Sequence, residues 1–134
     1  MSYDISLYDR EFLKDALATS LGDWTSAPAL SPSALASVER SLQDAGFQAV
    51  DHPAGFAEFL VSQGVEPSRD YRLEREGLLV TAQVFSSSVV FSMPASQKPY
   101  ESVAYARHLA RDVAFGNQLG YYDPQTGEVA GEAA

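Results

Sequence analysis

The chain has 134 residues and no cysteine, and its 18 acidic residues against 9 basic ones give a formal net charge of −9. Without cysteine it can form no disulfide, no thiolate zinc site and no cysteine nucleophile. The excess of carboxylates also argues against binding to the phosphates of DNA or RNA, which requires a basic surface. The length predicts a single domain over residues 1–134 with one hydrophobic core, and residues 129–134 are expected to form a frayed tail.

The apolar segments are too short and too interrupted for a membrane span or a signal peptide. The longest of them, residues 77–93, is broken by Thr81, Gln83 and the serines of 86–88. It therefore lacks the ~20 consecutive apolar residues that cross a bilayer. The N-terminus has neither the basic residues nor the apolar run of a secretory signal. We therefore expect a cytoplasmic protein without a membrane partner.

Hydrophobic periodicity predicts a strand followed by helices in the first half of the chain. Apolar residues alternate with polar ones over residues 3–7, which is typical of a half-buried strand, and residues 12–17 have the spacing of a short helix. Residues 31–46 predict a longer helix, with Ser31 as the N-cap and Gly46 as the stop. Residues 47–50 are either a short strand or an extended link. A second short helix follows, with an apolar face of Phe56, Phe59 and Leu60.

The second half of the chain turns to strands. Residues 70–76 alternate as an exposed or edge strand does, and residues 78–85 are apolar on both faces, which is typical of a central strand. A further strand over 89–93 precedes the longest helix, over 100–118, which is expected to end at Gly120. Because strands and helices come in separate runs, the pattern favours an α+β domain. We expect a mainly antiparallel sheet of about four to five strands packed with three to four helices.

The histidines offer little for catalysis. His108 precedes Asp112 by four residues on the last helix, so an aspartate one turn away could orient the imidazole as a general base. The same spacing is typical of an exposed surface pair, which is the favoured interpretation because no nucleophile or second base is marked nearby. The histidine spacing does not suggest a zinc site, and the glycines form no phosphate-binding motif. We therefore expect no catalytic residue, no metal and no cofactor.

Two segments are candidates for binding a partner. Residues 66–76 are rich in carboxylates with interleaved arginines, and residues 100–122 are rich in tyrosine. Packing against the sheet explains the tyrosines as well as partner binding does. A net charge far from zero also keeps small proteins monodisperse, so the acids need not have a partner. The functional interpretation is that they steer the chain towards a basic protein. The acids without nearby bases lie at Asp23, over 44–58 and beyond Arg111. The candidate partner-binding residues are Asp70, Glu74, Glu76, Tyr121, Tyr122 and Asp123.

Several short pieces of sequence resemble those of small cytoplasmic bacterial proteins, some of which are immunity proteins found beside interbacterial toxins. These pieces are MSYDI at 1–5, FSMP at 91–94 with the helix that follows, and LGYYDPQTGEV at 119–129, together about a third of the chain. The resemblance implies a single α+β domain that binds and neutralises a toxin by occluding it, without chemistry of its own. None of the matching pieces is a catalytic motif, and no binding residue is carried over from the resemblance.

Charge and resemblance together predict a non-catalytic acidic protein whose partner is basic, most simply an immunity protein bound to its toxin. One alternative is a phage-type inhibitor or adaptor that binds a basic nucleic-acid enzyme, since acidity suits that role equally well. Another is a small enzyme that uses His108 with Asp112. The genes adjacent to this one would separate the first two hypotheses, and the surroundings of His108 bear on the third.

Overall fold

The computed structural model describes residues 2–13, 28–75, 77–94, 99–123 and 128–130. Strand β1 is followed by helical residues 10–13, which end the first described range. The strands are β1 (Ser2–Asp9), β2 (Gln48–Ala49), β3 (Arg69–Arg75), β4 (Leu78–Val84), β5 (Ser88–Pro94), β6 (Leu119–Asp123) and β7 (Glu128–Ala130). The helices with complete bounds are α1 (Pro32–Asp44), α2 (Phe56–Ser62) and α3 (Pro99–Gly116).

The strands form one seven-stranded sheet in the order β2-β3-β4-β5-β1-β6-β7, and every neighbouring pair is antiparallel. The N-terminal strand β1 lies between β5 and β6, with Ile5 opposite Phe91 and Leu7 opposite Tyr121. Helix α3 connects β5 to β6 across this inserted strand. The predicted α+β class with a mainly antiparallel sheet is confirmed. The strand number is higher than predicted because two short strands, β2 and β7, extend the sheet at its two edges.

One face of the sheet holds the main core. Successive residues of a strand point to opposite faces, so the buried residues recur at every second position. Helix α1 contributes Val38 and Leu42, and α3 contributes a row of small residues that includes Ala106 and Ala110. Small side chains allow α3 to pack closely on the strands, as its sequence predicts. The strand residues of this core are Ile5, Leu7, Tyr71, Leu73, Val80, Ala82, Val84, Val89, Phe91, Met93, Leu119 and Tyr121.

Helical residues 10–13 cover part of the opposite face. The Asp9 carboxylate accepts a hydrogen bond from the Phe12 backbone N–H at 3.0 Å, which caps the start of this segment. The Leu13 side chain is buried and lies directly over Gly120 of β6, where a Cβ would be 2.6 Å from Leu13 Cδ2. Gly120 is therefore needed because Leu13 approaches the strand backbone closely. The rest of the predicted helix over 12–17, and Trp24, lie outside the described residues.

Both ends of α1 agree with the sequence. Ser31 Oγ accepts a hydrogen bond from the Ala34 N–H at 3.1 Å, and Pro32 occupies the first helical position. After the C-cap Ala45, Gly46 has a φ of 102°, in the left-handed region that favours glycine. The chain then turns directly into β2, so residues 48 and 49 form a short strand.

Four expectations need correction. β3 is not the edge of the sheet, because β2 pairs with its Tyr71 and Arg72 and because Tyr71 and Leu73 are buried. α3 ends at Gly116 and Gly120 lies inside β6; Gln118, with a φ of 58°, takes the left-handed conformation in the turn between them. Residues 129 and 130, predicted to belong to a frayed tail, pair with Tyr122 and Tyr121 in β7. The second helix is present as predicted, but its apolar face is not buried in the core. α2 has no buried residue, and Phe59 is 60% exposed.

Candidate partner-binding surface

The six residues predicted to bind a partner lie on strands that the sheet keeps apart. Asp70 and Glu74 are on β3, and residues 121–123 are on β6. The strand order places β4, β5 and β1 between them, so the two segments do not form one continuous patch. Glu76 lies outside the described residues. On β6, Tyr121 and Asp123 are 0% exposed on the core face, whereas Tyr122 is half-buried and points to the opposite face.

The Asp123 carboxylate is held in a buried cluster that joins three elements. The Tyr3 hydroxyl of β1 donates a hydrogen bond to Asp123 Oδ2, and Arg107 Nη2 of α3 lies 3.1 Å from the same oxygen. Arg107 Nη2 also donates to the Tyr3 hydroxyl oxygen at 2.9 Å. Burial, and then the hydrogen bond to Asp123, raise the pKa of Tyr3, so the phenol keeps its proton and acts as a donor. This cluster anchors α3 to the sheet and neutralises the buried carboxylate.

Asp70 belongs to a second polar cluster, which the sequence does not indicate. His52 Nε2 lies 2.7 Å from Asp70 Oδ2, and Ser68 Oγ donates to Asp70 Oδ1 at 2.5 Å. The His52 ring stacks on Phe56 of α2, with ring centroids 4.8 Å apart. The Val50 N–H donates to the Asp70 carbonyl, which continues the β2–β3 pairing and brings His52 to β3. The cluster holds α2 at the sheet edge. Both carboxylate oxygens of Asp70, a predicted partner-binding residue, are occupied by contacts within the chain.

The remaining charged candidates form exposed ion pairs. Glu74 Oε2 lies 3.0 Å from Arg72 Nη2 on the same strand, with both side chains more than half exposed. His108 Nε2 lies 3.3 Å from Asp112 Oδ2 on α3, and these side chains are 73% and 66% exposed. This is the surface pair that the spacing of His108 and Asp112 favours. Exposed pairs of this kind contribute about 0–1 kcal/mol to stability.

Most of the large exposed apolar side chains lie in the stretch of chain that contains α2. Among the described residues, four of the five large apolar side chains with high exposure lie between positions 50 and 65; Phe115 of α3 is the fifth. Phe59 and Val61 of α2 are 60% and 62% exposed. Single exposed apolar residues are common, but four of them within one short stretch of chain make it a candidate interaction site. We call this group the α2 surface; its apolar members are Val50, Phe59, Val61 and Val65.

The charges of the chain segment that contains the α2 surface are of one sign. Between Arg40 and Arg69 the sequence contains four carboxylates and no lysine or arginine. The side chains of Asp51 and Glu58 are exposed within this stretch. The acidic character of this segment could therefore be predicted from the unbalanced acids of residues 44–58. The apolar part was missed because the periodicity of α2 predicts an apolar face without showing whether anything packs on it. The four carboxylates are Asp44, Asp51, Glu58 and Glu66.

An open pocket of about 590 Å³ adjoins the α2 surface. It lies between the first turns of α1, the segment 66–69 and the end of β4, and Ala57 of α2 contributes to its wall. Glu66 Oε1 accepts hydrogen bonds from the Ser86 backbone N–H at 3.0 Å and from Ser86 Oγ at 2.6 Å. The volume is within the range of about 300–1,000 Å³ typical of ligand sites. We call this cavity the α1 pocket.

A second carboxylate in the α1 pocket is already neutralised. Glu39 Oε2 lies 2.8 Å from Arg69 Nη1, and Glu39 Oε1 accepts a hydrogen bond from the Tyr71 hydroxyl at 2.7 Å. Burial of the phenol, and then its hydrogen bond to Glu39, raise the pKa of Tyr71 to about 12. Tyr71 therefore remains a neutral donor at physiological pH. Glu66 is left as the carboxylate of the pocket without a cationic partner among the described residues.

In the described ranges, no group of three or more His, Asp or Glu side chains is arranged to hold a metal ion. The described helices also include none with the length and apolar character needed to cross a membrane. Comparison of the chain with protein-family models, with curated proteins and with solved structures finds no match.

Proposed function

We propose that the chain is a non-catalytic acidic binding protein, an immunity protein that neutralises a cognate bacterial toxin by binding and occluding it. The observation that carries this proposal is the α2 surface, where exposed Phe59 and Val61 lie in a stretch of chain that has carboxylates but no lysine or arginine. The resemblance of the sequence to small immunity proteins supports the same function.

The α2 surface has the composition of an interface centre with a charged rim. Aromatic and aliphatic side chains supply most of the binding energy of protein interfaces when a partner removes them from water. The carboxylates of the same chain segment suit a partner that carries lysine and arginine beside its own apolar contacts. Such charges speed the encounter and reject acidic partners. A toxin with a basic active-site cleft would present this complementary surface, and binding across the cleft would exclude its substrate.

The position of α2 suits this role. The helix has only seven residues and no buried side chain, so its own sequence gives it little stability. Phe56 and the His52–Asp70 pair hold it at the sheet edge, and Phe59 remains free to contact a partner. The β6 candidates Tyr121 and Asp123 are fully buried, so we assign the partner contact to the α2 surface instead.

Co-expression with the product of the adjacent gene tests the proposal. We expect the chain to rescue the growth of cells that express this product, and the two purified proteins to form a complex whose affinity falls as salt concentration rises. A catalytic mode of protection would need only trace amounts of the chain, whereas occlusion requires one chain for each toxin molecule. Rescue that saturates at equimolar expression would support occlusion. Failure to rescue growth or to form a complex with any adjacent gene product would contradict the proposal.

A further inference from the structure

We propose that the α1 pocket is a socket for one long cationic side chain, an arginine or a lysine, of the basic protein that binds the α2 surface. This inference rests on the proposed function and names the contact that gives it specificity. It follows from the shape of the pocket, the fixed position of Glu66, the neutralised state of Glu39 and the continuity of the pocket with α2.

The walls of the pocket suit the methylene stem of such a side chain. Long cationic side chains bury their stems against apolar surface and keep the charged head near a polar group. The volume of about 590 Å³ leaves room for the side chain and for part of the backbone that carries it. The apolar residues of the wall come from α1, from α2, from the segment before β3 and from the end of β4: Pro32, Leu35, Ala36, Ala57, Pro67, Val84 and Phe85.

Glu66 supplies a preorganised acceptor for the charged head. Both hydrogen bonds from Ser86 go to Oε1, which fixes the carboxylate in the pocket wall. Oε2 has no hydrogen-bond donor among the residues that the structure describes. A guanidinium or ammonium group at Oε2 would form a charge-assisted hydrogen bond, which is about twice as strong as a neutral one. Because the carboxylate is already held in place, little side-chain entropy is lost when the cation binds.

The other charges of the pocket do not oppose this occupant. Arg69 is the cation of the pocket lining, and it is paired with Glu39 at 2.8 Å, so these two charges cancel. The Arg69 side chain is 77% exposed. The Arg69–Glu39 pair shows that a guanidinium can pair with a carboxylate of this pocket. The charge that remains uncompensated is that of Glu66, and it favours a cation over a neutral or an acidic side chain.

The Val61 side of the α2 surface borders the pocket. Ala57 of the pocket wall and exposed Val61 are four residues apart on α2 and therefore lie on one face of the helix. Val65 immediately precedes Glu66 in the chain. A partner that covers Val61 and Val65 would therefore bring a neighbouring basic side chain to Glu66. Apolar contact and charge recognition would then belong to one interface.

Titration with N-acetyl-arginine amide, followed by the amide NMR spectrum of the whole chain, tests the socket without the partner. We expect binding in the millimolar range, with shift changes centred on pocket residues such as Ala36, Ser68 and Ser86. The neutral isostere N-acetyl-citrulline amide should cause no such changes. Glu66→Gln keeps an acceptor for Ser86 but removes the charge, and it should weaken arginine binding about tenfold or more. Glu11→Gln, an exposed site on the other face of the sheet, is the matched control for the change in net charge.

Equal shift changes with the arginine and citrulline amides, or shift changes spread over all surface carboxylates, would contradict the proposal that the pocket binds a cationic side chain. The same variants in the complex with the adjacent gene product separate the two proposals. Glu66→Gln should weaken the complex about tenfold, and Glu11→Gln should leave its affinity unchanged. If Glu66→Gln leaves the affinity of the complex unchanged, the pocket does not bind a cationic side chain of the partner, and the proposed function is unaffected. If no complex forms, the proposed function fails, and the arginine titration alone decides whether the pocket binds a cation.

Discussion

Single residues in this chain show how burial changes the meaning of a carboxylate. Asp123 and Glu74 are both strand residues with an arginine nearby, and the sequence makes them equal candidates for binding a partner. In the structure Asp123 is 0% exposed and accepts hydrogen bonds from Tyr3 and Arg107, whereas Glu74 is exposed beside Arg72. A buried charge must be paired because its desolvation is costly, and an exposed one has no such requirement.

The two carboxylates are therefore expected to differ in their effect on stability. Asp123→Ala leaves the Arg107 guanidinium and the Tyr3 hydroxyl without their common acceptor, and we expect a loss of about 2–4 kcal/mol in the free energy of unfolding. The partial exposure of Arg107 sets this below the range for a fully buried pair. Glu74→Ala removes an exposed pair, and we expect a change within about 0.5 kcal/mol. Urea unfolding of the two variants measures both values, and similar losses would contradict the structural role of Asp123.

At the scale of the elements, sequence signals predict a helix boundary where local capping sets it, and fail where a long-range contact explains the same residue. Ser31 and Gly46 mark α1 correctly because capping depends on a few neighbouring residues. Gly120 has the same appearance as Gly46 in the sequence, but it lies inside β6. It is there because Leu13, distant in the sequence, packs against the strand at that point. A contact of that kind has no local signature.

Replacement of the two glycines near the end of α3 tests this assignment. Gly120→Ala places a Cβ 2.6 Å from Leu13 Cδ2 and 3.2 Å from Leu13 Cβ, so the whole Leu13 side chain must move. We expect a loss of about 1–3 kcal/mol in the free energy of unfolding. At Gly116, an added Cβ meets no atom within 4 Å, and the helical position favours alanine.

Gly116→Ala is therefore the matched control, with an expected change between zero and a gain of about 1 kcal/mol. Thermal or urea unfolding of both variants gives the comparison. Adding Leu13→Ala to Gly120→Ala should recover part of the strain, so the double variant should lose less than the sum of the single losses. Additive losses would show that Gly120 is required for a reason other than the approach of Leu13.

The α+β class could be predicted from the sequence for the whole molecule because the separate runs of strands and helices, and their periodicities, are local properties. Of the candidate site, only the excess of negative charge could be predicted from the sequence. The sequence shows that residues 44–58 are acidic without compensating bases, but the placement of Phe59 depends on what packs against α2. The opposite error occurs at Tyr121, which has the composition of an interface residue and lies in the core.

The strand order explains both the burial of Tyr121 and the exposure of α2. β1 inserts between β5 and β6, and it brings Tyr3 to Asp123 and Leu7 to Tyr121. These pairings join the first and last described strands of the core, so Tyr121 and Asp123 become part of the core beneath α3. The opposite edge of the sheet is left with the short β2, exposed α2 and the α1 pocket. Long-range pairing therefore moves the candidate interface from the end of the sequence to its middle.

Affinity measurements with two phenylalanine variants test most directly whether the α2 surface binds the partner. Phe59→Ser and Phe115→Ser each replace a phenylalanine that is more than half exposed on a helix, at 60% and 51% exposure. Calorimetric titration of each variant with the product of the adjacent gene should show a loss of about 30-fold or more in affinity for Phe59→Ser, as expected for a central interface residue. Phe115→Ser should have the affinity of the unmodified chain. Both variants should unfold at temperatures close to that of the unmodified chain. Equal affinities for the two variants, or a greater loss for Phe115→Ser, would contradict the assignment of the partner interface to α2.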